Sequence, residues 1–526
     1  MKFRKILASV MALSLILTGC ASKETATTSA TSQTEATTSA PDNSAILEGA
    51  VEITLSDDGI KVDGNAIATE ETSAVYGAND IVYYMSGQDF KYGEGTEKDA
   101  HSEDEAAAHT VVHITQPGRY AVSGKLSKGQ IAIDLGDDAE EDENAVVTLI
   151  LNGADITCEV APAIIFYNVY ECGTADEETA TKDVDTSKAG ANVIIADGTE
   201  NTVNGSYVAR IYKPDSVVLN DKGTEVEDAK KLHKYDVAFY SKKTMNVSGG
   251  KDGTGILNIN AQNEGLDSEL HLTINGGNIN INSGNDGINT NEDNISVTTI
   301  NGGSLKIKVT GETGEGDGID SNGWLVINGG TVIAEACSKS ADSGIDSDKG
   351  IHINGGTVIA TGHMLDRIED EGQTYAVFNF ANEQDGTKDI TLKNDTGEVI
   401  VNHKGENSYS ILIFSSPDLK AGEYTLWDGV DQLAHSGGMG GMMGMPGGMG
   451  GMTPPADFEG GKVPFEGGKK PENLVPGNMP QGGNFPGGDR PNGFGGMQNN
   501  GGSQEASTQF TINDGGNMFG GIAKAK

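Results

Sequence analysis

The sequence predicts an all-β protein built as a solenoid of stacked coils. Gly-Gly pairs begin at residues 249, 276, 302, 329 and 355, so successive pairs lie 27, 26, 27 and 26 residues apart. A steady period of this size is typical of a solenoid. Apolar residues alternate around the pairs, as at Leu272 and Ile274, and a period of two predicts strands rather than helices. Each coil of about 26 residues should contain a strand, a tight Gly-Gly corner, a second strand and an acidic return, and stacked coils should form parallel sheets.

The composition supports this fold and excludes one class of function. Gly accounts for 74 of 526 residues, about twice the usual share of ~7%. The chain carries 36 Lys and Arg against 77 Asp and Glu, so its formal charge is 36 − 77 = −41. A nucleic-acid-binding protein needs a basic face. Nucleic acid is therefore not an expected partner.

The N-terminal segment is predicted to anchor the protein by a lipid. Residues 1–19 have basic residues followed by an apolar run, and this run is shorter than the ~20 residues needed to span a bilayer. With Cys20 directly after them, they resemble a lipoprotein signal whose cysteine becomes lipidated. An ordinary signal peptide or a spanning helix is the alternative. Residues 20–45 are rich in Ser and Thr and should form a flexible tether to a surface-exposed protein.

An asparagine recurs at the same corner of successive coils. The four residues are Asn275, Asn301, Asn328 and Asn354. Stacked amides can hydrogen-bond along a column, as in other Asn ladders. We expect a structural ladder, and the alternative is an exposed row that binds a ligand.

A second repeated unit consists of an acidic residue, Gly, Ile or Leu, Asp or Asn, and Ser or Thr. It occurs at residues 264–268, 286–290, 317–321 and 343–347. If the aliphatic residue points inward, the acidic residues should point outward and stack into one column. Neighbouring carboxylates repel, and Ca²⁺ binds about six to eight oxygens. The candidate ligands are Asp267, Asp286, Asn289, Asp317, Asp320, Asp342, Asp346 and Asp348. The alternative is that these residues only form turns and keep a sheet edge soluble.

The remaining segments divide the chain further. Residues 46–434 are predicted to form the β-helical domain, with acidic runs near 137–143 and 176–185 as solvated loops. Residues 435–505 contain 23 Gly, 9 Pro and 8 Met and should be a disordered loop. Strand-like segments lie on both sides of this loop, at 423–429 and in the return strand within 506–526, so they are expected to pair. Cys158 and Cys172 either pair or remain thiols, and the state of Cys337 is open.

Several motifs together resemble a family of clostridial-type cell-surface carbohydrate-binding proteins. These motifs are PGRYAVSGKLSKGQIAIDL, LILNGADIT, DGTENTV, the acidic units with NGG corners, and the Gly/Met-rich insertion before a last FTI strand. The resemblance implies a right-handed parallel β-helix similar to pectate lyases, bound calcium, and binding of cellulose or acidic pectic polysaccharide without cleavage. Asn289 and Ser343 depart from the acidic pattern.

The residues favour a binding protein over an enzyme. A calcium-dependent pectate lyase uses an Arg or Lys base beside the metal, yet no Arg lies within the acidic units, and only Lys339 and Lys349 flank them. Trp324 is the candidate aromatic contact for a sugar ring. The alternatives are a lyase and a purely structural or adhesive solenoid.

Overall fold

The computed structural model describes residues 42–436 and 506–525. The predicted signal peptide, Cys20, most of the tether and nearly all of the 435–505 loop lie outside the described residues. The prediction of an all-β protein is confirmed, because strands account for 47% of the structure and helix is almost absent. The helices are α1 (Ser44–Leu47), α2 (Glu103–Ala107) and two 3-10 turns, Asp137–Glu141 and Pro214–Ser216. Among the described residues, no helix has the length and apolar character to cross a membrane.

The strands follow one another along the whole described chain. The first are β1 (Val51–Leu55), β2 (Lys61–Val62), β3 (Asn65–Ala66), β4 (Val75–Ala78), β5 (Thr110–Ile114), β6 (Gly118–Leu126), β7 (Gly129–Ile133), β8 (Val147–Thr157), β9 (Ile164–Phe166), β10 (Ala191–Ile195), β11 (Glu200–Gly205) and β12 (Val208–Tyr212). Next are β13 (Val218–Leu219), β14 (Val226–Asp228), β15 (Lys231–Tyr235), β16 (Val237–Ser241), β17 (Met245–Gly249), β18 (Ile256–Ala261), β19 (Glu264–Ser268), β20 (His271–Ile274), β21 (Asn278–Ser283), β22 (Ile288–Thr290), β23 (Val297–Ile300) and β24 (Ser304–Val309). The last are β25 (Ile319–Ser321), β26 (Trp324–Ile327), β27 (Thr331–Glu335), β28 (Gly350–Ile353), β29 (Thr357–Gly362), β30 (Tyr375–Gln384), β31 (Ile390–Asn394), β32 (Val399–His403), β33 (Tyr409–Ser415), β34 (Gly422–Asp428), β35 (Asp431–Ala434), β36 (Phe510–Ile512) and β37 (Gly516–Lys524).

Most strands up to β29 pair in parallel with strands of the neighbouring repeat. One row contains β8, β10, β17, β20, β23, β26 and β28. A second row contains β11, β18, β21, β24, β27 and β29. A third row, in a separate sheet, contains β5, β7, β9, β16, β19, β22 and β25. The acidic units lie in this third row.

The repeated aliphatic residues are buried, and the repeated Gly-Gly pairs lie at corners of the chain. The aliphatic residue of every acidic unit is 0% exposed, and these residues are Leu266, Ile288, Ile319 and Ile345. The chain turns between the first two rows at the Gly-Gly pairs. At one corner Gly303 has a φ of 84°, and a Cβ atom there would lie 2.5 Å from the Gly277 carbonyl oxygen. Only glycine fits this corner without strain.

The C-terminal strands differ from the expected continuation of parallel coils through residue 434. Strand β33 pairs antiparallel with β29 and β30, and β31 pairs antiparallel with β32 and β34. These strands enclose a second hydrophobic core around Phe378, Phe414 and Phe510. The predicted pairing across the long loop is present, because Tyr424 of β34 opposes Phe510 of β36. The structure therefore contains both parallel and antiparallel strand pairs.

The cysteines in the described ranges are thiols. Cys158 and Cys337 are buried, and Cys172 is half-buried. The Cys158–Cys172 pairing that the sequence left open is absent.

Candidate functional site

The acidic units stack in register on the third row of strands. Asp267 of β19 opposes Asn289 of β22, which in turn opposes Asp320 of β25. The next unit continues the stack, because the Asp346 amide donates a hydrogen bond to the Ile319 carbonyl (2.7 Å). Parallel strands lie about 4.8 Å apart. Residues distant in sequence therefore form one continuous line, which we call the acidic column: residues 264–267, 286–289, 317–320 and 343–348.

Two neighbouring oxygen atoms of the acidic column are buried without a partner. Asp267 is 1% exposed and Asn289 is 9% exposed. Asp267 Oδ2 accepts a hydrogen bond from Asn291 Nδ2 (2.8 Å). Asp267 Oδ1 and Asn289 Oδ1 have no hydrogen-bond donor among the described residues. Because burial of an unpaired polar atom is costly, these two atoms suit a positively charged ligand.

Three other carboxylates bind the backbone of a neighbouring coil: Asp286 and Asp317 of the column, and Asp342 just before its last segment. Asp286 Oδ1 accepts a hydrogen bond from the Asp317 amide (2.6 Å). Asp317 Oδ1 accepts one from the Ser343 amide (2.6 Å). Asp342 Oδ2 likewise accepts one from the Gly316 amide (2.6 Å). These three bonds join successive coils and are not local turn contacts, so the turn-forming alternative stays a prediction.

The column concentrates negative charge in a dry environment. Burial is the main cause that raises the pKa of Asp317 to about 9, of Asp346 to about 8, of Asp286 to about 7 and of Asp320 to about 6. Neighbouring carboxylates add to each shift. Burial also raises the pKa values of Glu264 and Asp267 well above their usual range. Without a cation, several of these groups would have to be protonated at neutral pH.

The acidic residues of the column differ in their exposure to solvent. Glu264 and Asp267 are 7% and 1% exposed. Asp286, Asp317, Asp320 and Asp346 are half-buried, and only Asp348 among the candidate ligands is exposed.

The structure adds Asp366 to the column. Its Oδ2 atom accepts a hydrogen bond from the Ser347 amide (3.0 Å), and its charge contributes to the raised pKa values of Asp320 and Asp346. Asp366 follows the last acidic unit and matches none of its pattern, so sequence repetition gave no signal for it.

The column is not a cage formed by acidic side chains alone. Within residues 42–436 and 506–525, no three His, Cys, Asp or Glu side chains converge closely enough to hold a metal ion. Calcium also binds amide oxygens, backbone carbonyls and water. Asn289 and the backbone must therefore contribute if a calcium ion binds here.

The asparagine ladder is present as predicted. Asn301 Nδ2 donates to Asn275 Oδ1 (2.9 Å), Asn328 Nδ2 donates to Asn301 Oδ1 (2.9 Å), and Asn354 Nδ2 donates to Asn328 Oδ1 (2.8 Å). The four side chains thus bind one another across successive coils.

The candidate aromatic and basic residues lie at the edge of the column. Trp324 is half-buried at the start of β26, and Lys349 Nζ lies 5.8 Å from the centre of its ring. Lys339 Nζ donates a hydrogen bond to the Gly311 carbonyl (2.6 Å). Neither lysine forms an ion pair with a described carboxylate.

A family model described as carbohydrate-binding domain-containing protein matches residues 108–396, more than half of the chain. The chain belongs to this carbohydrate-binding family. The matched range contains the whole acidic column and the asparagine ladder. Family membership supports carbohydrate binding as the general function and a polysaccharide as the general partner.

No curated protein matches the chain. A solved structure, the polysaccharide lyase-like protein from C. thermocellum as a gadolinium derivative, is 18% identical, with a TM-score of 0.32. The match covers 58% of this chain and 83% of that chain.

Proposed function

We propose that this protein binds an acidic plant cell-wall polysaccharide of the polygalacturonate type through calcium, without cleaving it. The observation that carries the proposal is the pair of unpartnered buried oxygens, Asp267 Oδ1 and Asn289 Oδ1. They oppose each other on adjacent parallel strands. Membership of the carbohydrate-binding family supports a carbohydrate as the ligand.

Calcium is the cation that best suits this chemistry. The column offers carboxylate and amide oxygens, which hard cations such as Ca²⁺ prefer. Asp267 and Asn289, with Glu264 beside them, would hold the ion. Asn289 Nδ2 lies 3.5 Å from Glu264 Oε2, so a small side-chain adjustment changes which oxygens face the ion. Bound calcium would supply positive charge that keeps buried carboxylates ionised.

Calcium also explains how an acidic protein can hold an acidic polysaccharide. A chain with a net charge of −41 repels a polyuronate unless divalent cations lie between them. An ion with coordination positions left for a uronate carboxylate removes this repulsion. Cellulose is the second candidate: it is neutral, and Trp324 beside Lys349 is the feature that favours it.

The placement of the basic residues favours binding over lysis. A lyase base must reach the proton next to a metal-bound uronate. Lys339 is engaged with a backbone carbonyl, and Lys349 lies over Trp324. Arg367, the nearest arginine in sequence, forms an ion pair with Glu369 (2.7 Å). A pectate lyase remains the alternative function, and a structural solenoid is the third.

We also propose that the three rows of strands wind as a right-handed parallel β-helix. A separate proposal is that a lipid on Cys20 holds the protein at the bacterial surface. The parallel pairing between repeats supports the first proposal. The pattern of residues 1–20 supports the second. The glycan site would then face the cell exterior.

A pull-down with polygalacturonate tests the function. Wild-type protein should be retained in calcium and released by chelator, and Asp267→Asn should weaken retention. Asp385→Asn is the matched control, because Asp385 is exposed in a turn outside the column. Calcium-independent retention, or equal retention of Asp267→Asn, would contradict the proposed role of calcium.

A further inference from the structure

A large cavity lies on the same sheet as the acidic column, next to its first strand. Its volume is about 770 Å³, which lies within the ~300–1,000 Å³ typical of ligand sites. Its floor contains His113 of β5, Ala132 of β7 and Tyr240 of β16, three strands of the third row. We call this cavity the tyrosine cleft.

The walls of the tyrosine cleft come from insertions outside the repeat. The hairpin of β12 and β15 supplies Lys231, Leu232 and His233. The acidic segment 137–143, expected to be a solvated loop, supplies Glu140, and the segment that follows β9 supplies Glu171. Leu232 is 45% exposed, so the hairpin presents an apolar edge to solvent at the cleft.

Three tyrosines form a rigid aromatic cluster in the cleft. The ring centre of Tyr235 lies 5.6 Å from that of Tyr167 and 5.2 Å from that of Tyr240. His233 Nδ1 lies 2.7 Å from the Tyr235 hydroxyl, and Tyr240 donates a hydrogen bond to Glu269 Oε1 (2.6 Å). Tyr167 is half-buried. Aromatic rings with fixed polar groups suit the alternating apolar and hydroxyl faces of a sugar.

The charged lining of this cleft consists of four lysines and six carboxylates: Lys231, Lys234, Lys242, Lys243, Asp80, Asp134, Glu140, Glu171, Glu269 and Glu292. Lys243 pairs with Glu140 (2.6 Å), and Lys231 pairs with Glu269 (3.2 Å). Lys242 is exposed, and its Nζ atom has one weak contact, with Asn168 Oδ1 (3.5 Å). Lys242 forms no ion pair with any carboxylate in the described part of the chain. Its charge is therefore available to an anionic ligand.

The tyrosine cleft and the acidic column adjoin directly. Tyr240 opposes Asp267 in the parallel register of β16 and β19. Adjacent strands are about 4.8 Å apart, which is comparable to the size of one sugar ring. A ligand in the cleft would therefore lie one strand away from Asp267, whose side chain is buried at 1% exposure.

We propose that the tyrosine cleft binds a short stretch of a uronic acid chain, with one carboxylate at Lys242 and the chain directed toward the acidic column. Sugar rings rest against Tyr167, because Tyr235 and Tyr240 behind it are only 7% and 3% exposed. This assignment rests on the proposed function and locates its binding site. It places the polysaccharide at β16 rather than at Trp324.

The test measures binding of trigalacturonate by calorimetry in calcium. Lys242→Ala should weaken binding about tenfold or more, because a charge-assisted contact is lost. Lys388→Ala, an exposed lysine in a distant turn, should bind as wild type. Methyl-esterified trigalacturonate should bind much more weakly than the free acid. The calcium-induced shift in melting temperature should be unchanged in Lys242→Ala, which verifies folding and the cation site.

The outcomes separate this proposal from the proposed function. Calcium-dependent binding with full affinity in Lys242→Ala overturns the cleft assignment and leaves the function standing. Equal binding of the methyl ester overturns the role of the carboxylates. Binding of cellotriose but not trigalacturonate, or of neither, overturns both proposals.

Discussion

Asp267 and Asn289 oppose each other on adjacent parallel strands, and the Oδ1 atom of each is buried without a hydrogen-bond donor among the described residues. Folded proteins rarely leave such atoms unpaired. These two atoms lie on adjacent strands in a line of carboxylates with raised pKa values, and they are the place where we propose that a cation binds. Each consequence of this arrangement can be measured.

Calcium should stabilise the folded protein. An ion that binds only the folded state adds RT ln(1 + [Ca²⁺]/Kd), about 2.7 kcal/mol at 100 times Kd. The melting temperature should therefore rise between excess chelator and millimolar calcium, and Asp267→Asn should reduce the rise. Asp385→Asn serves as control. A melting temperature independent of calcium in the wild type would exclude the cation site.

The calcium-free protein should lose stability as pH rises. The folded pKa values of Asp320, Asp286 and Asp346 are about 6, 7 and 8, above an unfolded value of about 3.9. Between about pH 4 and pH 8 the folded state therefore binds more protons than the unfolded state. The free energy of unfolding falls as pH rises through this range. Denaturation in chelator should require less urea at about pH 8 than at about pH 5. The reverse order would contradict the assignment of buried, uncompensated carboxylates.

Breaking the asparagine ladder should cost stability whether or not calcium is present. Asn301→Ala removes one amide that donates to Asn275 and accepts from Asn328. The expected loss is about 0.5–1.5 kcal/mol per hydrogen bond, and the exposure of the ladder favours the lower end. Asn282→Ala is the control, since Asn282 is exposed on β21 outside the ladder. Urea unfolding with and without calcium measures both. A loss that appears only in calcium would mean that the ladder contributes to ion binding.

Cys20→Ala should release the protein from membranes without unfolding it, because the lipid is the only predicted anchor. Cell fractionation followed by a salt wash measures this. A variant that still sediments with membranes would contradict the lipoprotein interpretation.

Sequence repetition predicted the features that recur in every coil. The alternation of apolar residues predicted the strands, and the spacing of the asparagines predicted the ladder. The same reasoning did not predict the low solvent exposure of Glu264 and Asp267. Alternation within one strand does not show which side chains other segments cover. The predicted ligands that the structure aligns in one register are Asp267, Asn289 and Asp320.

Features outside the repeat could not be predicted in this way. The tyrosine cleft combines β16 with the hairpin of β12 and β15, and no periodic pattern links Lys231 to Tyr167. Asp366 reaches the column from a non-repeating turn. The C-terminal strands β30–β37 pair mostly antiparallel, with β30 and β37 parallel. Their alternation is the same as that of parallel strands, so the pattern does not distinguish the direction of pairing.

The most direct test of the central claim incubates purified protein with polygalacturonate in calcium and measures retention and ultraviolet absorbance together. Lyase products contain a double bond conjugated to a carboxyl group and therefore absorb. A binding protein should be retained, be released by chelator, bind more weakly as Asp267→Asn, and produce no absorbance. Sustained growth of absorbance that Lys339→Ala or Lys349→Ala abolishes would contradict the account and make this protein an enzyme.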